Sequence, residues 1–166
     1  AGERAAAMGA RVLRGGADEL NRDRPGALVL DLANALSVPT DPFVGDLGAM
    51  GGTSGFALGE AVAAAIEDLC VRTAVLVVLE DLQWADDLSM RTVVALVRRF
   101  APLQVAVVAT VRPVPRSPLL ERFLASQAGS SPIRVVLDSL PDAAVTALVA
   151  STAGLPPGPV LANRIA

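Results

Sequence analysis

AVLVVLEDLQWADDLSMRTVVALVRRF, residues 74–100, is the stretch that decides the fold. The uninterrupted apolar run at residues 75–79 is typical of a parallel strand that is covered on both faces. This strand ends at two adjacent acids, Glu80 and Asp81, and from Asp87 onward apolar residues recur at helical spacing. The stretch therefore predicts a buried strand, a turn that carries two carboxylates, and an amphipathic helix.

The same alternation of strands and helices extends over the rest of the chain. A short strand is predicted at residues 10–15, and two apolar strands are predicted at residues 105–109 and 133–137. The Gly-rich and Pro-containing segment 37–55 predicts a long, flexible loop. Helical spacing of apolar residues predicts further helices at residues 2–8, 26–36, 56–70, 117–127 and 141–151. This order predicts an α/β domain whose mainly parallel sheet is flanked by helices.

The composition excludes several classes of site. All 14 basic residues are Arg, and the chain contains no His, no Lys and no Tyr. A Ser-His-Asp or Cys-His catalytic site therefore cannot be built, and one Cys without His leaves no ligand set for a structural zinc. A formal net charge of −3 gives no electrostatic footprint for DNA or RNA.

The remaining composition bears on location. Cys70 is the only Cys, so it forms no internal disulfide, which fits a reducing cytoplasmic setting. The longest uncharged run, residues 143–163, is interrupted by GLPPGP, and we therefore predict no membrane span. The chain opens on AGERAAAMGA, without an initiator Met or an apolar signal core, and we expect it to be a piece of a longer protein.

The acids after the central strand point to a ligand. In an open α/β sheet, ligands bind beyond the carboxyl ends of the strands, where Glu80 and Asp81 lie. Such carboxylates can hold a hydrated Mg²⁺ and orient or activate water. Thr110 and Arg112, which follow the strand at residues 105–109, are candidates for a polar and a cationic group near a phosphate.

A structural interpretation of the same residues remains open. Glu80 and Asp81 would then only end a strand and begin the next turn, while Thr110 and Arg112 would belong to an ordinary surface loop. Asp86 has the position of an N-cap for the following helix. Trp84 is interpreted as a packing anchor.

The segment VLVVLEDLQWADDLSMRTVVALVRRFAPLQVAVVATVRP, residues 75–113, resembles the ATPase domain of large ATP-binding LuxR-type transcriptional regulators. These are signal-transducing P-loop NTPases of the STAND group, within the wider AAA-like (ASCE) class. The resemblance extends over most of the chain: GARVLRG resembles the second strand, and VVLDSLPDAAVTALV resembles the last strand and the entry to the helical lid. It implies a partial NTPase core at residues 1–138, with Walker B at 75–81, and the beginning of the lid at 139–166.

The resemblance also implies roles for the candidate residues. In this family, Walker B is an apolar run and two acids, followed by His or Gln, Trp, Ala and Asp. Glu80 falls where the Mg²⁺-coordinating acid sits, and Asp81 where the water-activating acid sits. Because Glu in the first place departs from the more general Asp, we treat the two roles as interchangeable. Thr110 and Arg112 match the sensor position, where the family's arginine responds to the γ-phosphate of ATP.

One part of the implied site is missing from the sequence. A P-loop has the pattern GxxxxGK[ST], and a chain without Lys cannot contain it. We therefore expect the P-loop strand, with its loop and helix of about 30 residues, to precede this sequence in the longer protein. Without that strand, the strands at 105–109 and 133–137 would lack their shared neighbour. We expect this chain alone to be poorly stable, inactive as an ATPase and weak in binding ATP.

Three functions are compatible with these residues. The first is a module of an ATP-dependent signalling NTPase that switches with Mg²⁺-ATP, self-associates through the NTPase module and contacts DNA only through a module outside this chain. The second is an interaction scaffold with a degenerate NTPase fold that binds no nucleotide. The third, an ordinary α/β enzyme with an acidic site, ranks last because the chain has few general acids or bases.

Overall fold

The computed structural model describes residues 2–21, 24–44, 53–127 and 133–153. The chain divides into two compact units, residues 1–130 and 131–166. The first unit contains the sheet, and the second contains one described helix. The predicted boundary between NTPase core and lid at residue 138 stays a prediction.

The sheet has three parallel strands among the described residues. They are β1 (Arg11–Gly16), β2 (Val75–Glu80) and β3 (Val105–Ala109), in the order β1-β2-β3. The register pairs Val77 of β2 with Leu13 of β1 and with Val107 of β3. Consecutive parallel strands require long crossover connections, which the intervening helices supply. The predicted α/β fold with a parallel sheet flanked by helices is therefore confirmed.

Seven helices are described. In the first unit they are α1 (Gly2–Ala7), α2 (Ala27–Ala35), α3 (Asp41–Val44), α4 (Thr53–Cys70), α5 (Asp87–Phe100) and α6 (Pro118–Gln127), and in the second unit α7 (Asp142–Ala153). Single 3₁₀ turns occur at Glu19–Asn21 and Leu82–Trp84. No helix among the described residues is long and apolar enough to cross a membrane.

The core lies around β2. Its residues Val75 to Leu79 are only 2–6% exposed, as the uninterrupted apolar run predicts. The amphipathic helices α4 and α5 each contribute one apolar face, since residues three and four apart in a helix share a face. The fully buried side chains that surround β2 include Leu13, Leu28, Leu32, Leu58, Val62, Ile66, Met90, Val93 and Leu120.

An ion cluster joins α4 to α5 outside this core. The Arg99 guanidinium donates through Nε and Nη2 to both carboxylate oxygens of Glu67, and its Nη1 lies 2.8 Å from Glu60 Oε2. The hydrogen bonds from Arg99 lower the pKa of the Glu67 carboxyl below its ordinary value, and burial opposes this shift. The hydrogen bonds to Glu67 and Glu60 raise the pKa of Arg99 above its ordinary value.

Helix α2 packs unusually close to the backbone of β1. A Cβ atom added to Gly15 would lie 2.9 Å from the carbonyl oxygen of Leu28, so glycine permits this approach. The Gly16 N–H donates to Asp31 Oδ2 over 3.2 Å, which fixes the carboxyl end of β1 to α2. At the other end of α2, the Gly26 N–H donates to Asp86 Oδ1 over 3.0 Å.

Strand β3 differs from the expectation of a buried strand. Val105 and Val107 are half-buried, while Ala106, Val108 and Ala109 are exposed. Among the described residues, β3 is paired on one side only, by β2. The burial predicted from its apolar composition therefore fails because a strand at the edge of a sheet lacks one neighbour.

Two other predictions from the sequence are corrected. The strand expected at residues 133–137 is absent, because none of the described residues forms a ladder with this segment, and a strand requires such a partner. The loop expected at residues 37–55 contains the short helix α3, and α4 already begins at Thr53. Residues 45–52 of that predicted loop lie outside the described residues.

Candidate functional site

The candidate site lies at the carboxyl ends of β2 and β3. Glu80 is the last residue of β2, and Asp81 follows it directly, while Thr110 follows the last residue of β3. Because the two strands are parallel and in register, these ends meet at one edge of the sheet. This edge is where open α/β sheets bind ligands.

Asp81 and Thr110 are joined directly. The Asp81 N–H donates to Thr110 Oγ1 over 2.9 Å, and the Leu82 N–H donates to the Thr110 carbonyl over 3.1 Å. Asp81 has a left-handed backbone conformation, with φ 56° and ψ 45°, which Asp and Asn tolerate better than most other residues. This conformation turns the chain sharply out of β2 and begins the 3₁₀ turn at Leu82–Trp84.

Gln83 connects Asp81 with the segment that carries Arg112. Its Nε2 donates to Asp81 Oδ1 over 2.8 Å, and its Oε1 accepts a hydrogen bond of 3.0 Å from the Arg112 backbone N–H. The Gln83 residue is only 6% exposed. The Arg112 side chain is 68% exposed, and its Nε lies 3.9 Å from Asp81 Oδ1. The structure thus brings Asp81, Thr110 and Arg112 together, as expected.

The Glu80 side chain contacts β1, the neighbour of β2 that lies opposite to β3. Its Oε1 accepts a hydrogen bond of 2.9 Å from Arg14 Nη1 of β1, and both side chains are about half exposed. Among the described residues it makes no hydrogen bond or ion pair with Thr110 or Arg112. The two adjacent acids therefore contact opposite neighbours: Glu80 contacts β1, and Asp81 contacts the end of β3.

The two carboxylates have the donor chemistry that suits Mg²⁺. Each has one oxygen engaged, Glu80 Oε1 and Asp81 Oδ1, while the second oxygen makes no hydrogen bond with the described part of the chain. Mg²⁺ is commonly bound through one or two carboxylates together with waters and substrate phosphates. Within the described residues there is no group of three or more His, Cys, Asp or Glu side chains that could hold a metal ion by itself. Two carboxylates would therefore suffice only together with a ligand.

The predicted N-cap at Asp86 is confirmed. Asp86 Oδ1 accepts a hydrogen bond of 3.0 Å from the Ser89 N–H, and Oδ2 accepts one from the Ser89 hydroxyl. The same Oδ1 accepts from the Gly26 N–H, so one carboxylate joins the start of α5 to the start of α2. Trp84, between the acids and this cap, is half-buried.

The sequence alone predicts no role for Gln83 or Arg14. Gln83 lies two residues from Asp81 in a tight turn, and a polar side chain between Leu82 and Trp84 could have indicated a structural hydrogen bond. Arg14 lies 66 positions before Glu80, and no local pattern relates the two. This pair depends on the register between β1 and β2, which a single sequence does not specify.

A separate groove lies between α4 and α5, away from the acids. It has a volume of about 280 Å³ and an apolar floor with two arginines. Its lining includes Phe56, Ala63, Leu88, Arg91, Leu96 and Arg99. None of the candidate residues from the sequence lies in it.

Comparisons with known proteins give one structural similarity. No family model matches the chain, and no curated protein matches it. Among solved structures, the Aeropyrum pernix Orc1 protein in complex with DNA is similar at a TM-score of 0.44 and 21% sequence identity. The alignment covers 92% of this chain and 42% of the Orc1 chain, so this chain spans less than half the length of that protein.

Proposed function

We propose that this chain is part of an ATP-binding and ATP-hydrolysing signalling NTPase of the P-loop class. The type that its sequence resembles is the ATPase domain of large LuxR-type transcriptional regulators. In such a protein, Mg²⁺-ATP favours an active conformation, and slow hydrolysis returns it to the resting state. The module acts in the cytoplasm and self-associates, while DNA contact belongs to a module outside this chain.

One observation carries this proposal: the hydrogen-bonded group Asp81, Gln83, Thr110 and Arg112 at the carboxyl ends of two adjacent parallel strands. Phosphoryl transfer needs an acid that holds a metal or orients water, and a cation near the transferred phosphate. Asp81 and Arg112 are such a pair, with Asp81 Oδ1 and Arg112 Nε 3.9 Å apart. This arrangement supports the proposal that Asp81 belongs to a Walker B motif and Arg112 to a sensor at the same edge of the sheet.

Within this proposal, each side chain has a defined task. Glu80 and Asp81 hold the Mg²⁺ of Mg²⁺-ATP, which neutralises charge on the phosphates when bound. Asp81, or in the exchanged assignment Glu80, accepts a proton from the attacking water or orients it. Thr110 and Arg112 would lie near the γ-phosphate of a bound ATP, where a hydroxyl and a guanidinium would stabilise developing negative charge.

One edge of β3, which no described residue pairs with, supports the proposed placement of a phosphate loop. Val75 N–H donates to the Gln104 carbonyl and Thr110 N–H donates to the Leu79 carbonyl, so even-numbered residues 104–110 bond to β2. In a parallel ladder, the backbone groups of Val105, Val107 and Ala109 then point to the opposite edge. A further strand that carries a P-loop Lys would pair there and lie beside Asp81.

A second candidate is a scaffold that binds no nucleotide. The observation in its favour is that both acids already have partners within the chain. Glu80 is paired with Arg14, and Asp81 is bonded to Gln83. In a degenerate NTPase fold, these contacts would serve only to join the three strands, and the chain would offer its surface to protein partners.

Turnover of ATP by the intact protein tests the choice. Asp81→Asn preserves the left-handed backbone and the shape of the side chain, and Glu80→Gln preserves its length. We expect each to lower kcat by about 10²-fold or more, because general base and metal-binding carboxylates contribute this much. Glu121→Gln on α6 and Asp68→Asn on α4 change exposed carboxylates and should stay within about twofold of the parent.

The scaffold makes the opposite prediction for the same measurement. The intact protein would then show no Mg²⁺-dependent ATP turnover, or the Glu80 and Asp81 variants would hydrolyse ATP as fast as the two controls. Binding of Mg²⁺-ATP measured by calorimetry on the parent protein separates these cases. A protein that binds Mg²⁺-ATP and needs neither acid would contradict the proposed site but not nucleotide binding itself.

A further inference from the structure

We propose that Gln83 is a positioning residue that couples the orientation of the Asp81 carboxylate to the position of the segment carrying Arg112. The role of the coupled groups in ATP turnover rests on the function proposed above. The coupling itself rests only on the contacts of Gln83.

The carboxamide of Gln83 is used at both ends. Its donor end bonds to Asp81 Oδ1 over 2.8 Å, and its acceptor end receives the Arg112 N–H over 3.0 Å. Because Gln83 is 6% exposed, water cannot readily replace either bond, and a broken one leaves an unsatisfied polar group. A rotation of the Asp81 carboxylate must therefore move the carboxamide or break a bond, and a moved carboxamide displaces the Arg112 amide.

Other contacts connect the same segments, including the bond from the Leu82 N–H to the Thr110 carbonyl, but none of them fulfils this task. The ion pair between Asp81 and Arg112 is 3.9 Å long, and the side chains are 45% and 68% exposed, so solvent screens it. Thr110 bonds to the backbone N–H of Asp81 and does not contact its carboxylate. Gln83 is the buried connection between the carboxylate itself and the backbone after β3.

The two oxygens of the Asp81 carboxylate also differ in their contacts. Oδ1 of Asp81 is held by Gln83, while Oδ2 makes no hydrogen bond with any described residue. One oxygen thus fixes the orientation, and the other is available to a ligand. A ligand that draws the carboxylate towards itself would be sensed at Arg112 through Gln83, more than through either neighbouring contact.

Hydrogen exchange of the Arg112 amide tests this coupling in the intact protein without ATP. Overlapping peptides analysed by mass spectrometry isolate that amide. Asp81→Gly removes the carboxylate and suits the left-handed backbone, and Gln83→Leu removes both ends of the bridge. We expect each single variant to speed exchange at Arg112 by about 5- to 10-fold, as expected for loss of one buried hydrogen bond.

The double variant and a rescue distinguish coupling from a general loosening. In the Gln83→Leu background, Asp81→Gly should change exchange by less than about twofold, because the connection is already absent. Gln83→His restores a donor and an acceptor on one ring and should recover most of the protection. Gln83→Met has a similar shape but no donor or acceptor of comparable strength, so it should behave as Gln83→Leu does.

Additive effects would overturn the proposal. If Asp81→Gly speeds exchange equally with and without Gln83, or if Gln83→Leu leaves the Arg112 amide unchanged, Gln83 does not connect the two. Should Gln83→Leu fail to fold, the Gln83→Met background decides by the same criterion. An intact protein without ATP turnover would refute the proposed function, whereas the exchange cycle would still decide the coupling.

Discussion

Strands β2 and β3 are neighbours with nearly the same composition, VLVVL and VAVVA, yet their environments differ. The apolar residues of β2 are 2–6% exposed, whereas Val108 of β3 is 39% exposed. Strand β2 has a partner on each side, and β3 has one partner among the described residues. An apolar run therefore indicates which segment can be buried, while burial itself depends on the neighbours that the chain supplies.

Proline at paired positions should give the largest contrast between the two strands. Val77→Pro removes an N–H that bonds to β3, and we expect a loss of more than about 3 kcal/mol, enough to abolish cooperative unfolding of a marginal chain. Val107→Pro, at the register partner, removes an N–H that points to the free edge and should cost about 1 kcal/mol or less. Urea unfolding followed by fluorescence of Trp84, the single Trp, measures both.

The same pair can break the comparison in the intact protein. If a further strand pairs with β3 there, Val107→Pro becomes as damaging as Val77→Pro. If Val107→Pro is tolerated equally well in this chain alone and in the intact protein, this edge of β3 is unpaired in both. That result would weaken the proposed position of a P-loop strand.

Removal of two methyl groups at another pair of partners should give a smaller contrast. Val78 and Val108 are paired in the register and share a face of the sheet. Val78→Ala is expected to cost about 2 kcal/mol, because it combines lost transfer free energy with a small cavity. Val108→Ala removes partly exposed groups and should cost less than about 1 kcal/mol.

The midpoint of urea unfolding at constant m-value measures this contrast. A cost for Val108→Ala equal to that for Val78→Ala would show that β3 is covered in solution. Strands β2 and β3 would then differ in the number of paired neighbours but not in burial.

The smallest expected effect concerns the ion cluster of Arg99, Glu60 and Glu67 between α4 and α5. The pKa of Glu67 is lowered by its hydrogen bonds from Arg99 and by the charge of Arg99. Its stabilising contribution is therefore present above the ordinary value of 4.5 and is lost as the pH falls through the lowered value. Unfolding midpoints between about pH 3 and pH 6 should depend less on pH in Glu67→Gln than in the parent. Asp68→Asn, at an exposed neighbouring carboxylate, should retain the parent's dependence, and identical slopes for parent and Glu67→Gln would contradict the role of Arg99.

Most local elements could be predicted from the sequence. The strands at residues 105–109 and 75–80, the helix from Asp87 and its cap at Asp86 follow from periodicity and from the chemistry of side chains close in sequence. The strand expected at residues 133–137 is wrong, since its apolar residues fit a ladder but no described residue pairs with them.

The candidate site shows the same limit. Convergence of Asp81 and Thr110 at one edge follows from parallel strands, and it was expected. The partners that orient the acids were not, because Arg14 depends on strand register and Gln83 depends on the left-handed conformation of Asp81. Sequence patterns located the acids, and only the three-dimensional contacts identified what holds each one.

Gly15 pairs with Leu79 in the register, one residue before Glu80, so its close approach to α2 lies directly beside the acidic turn. Any side chain at this position would push β1 and α2 apart, since its Cβ atom would lie 2.9 Å from the Leu28 carbonyl oxygen. Displacement of α2 would reach its first residues, and the bond from the Gly26 N–H to Asp86 would transmit it to the start of α5. Strand β1 thus contains a position, opposite Leu79, at which a single methyl group would displace α2 and with it the elements on both sides of the acidic turn.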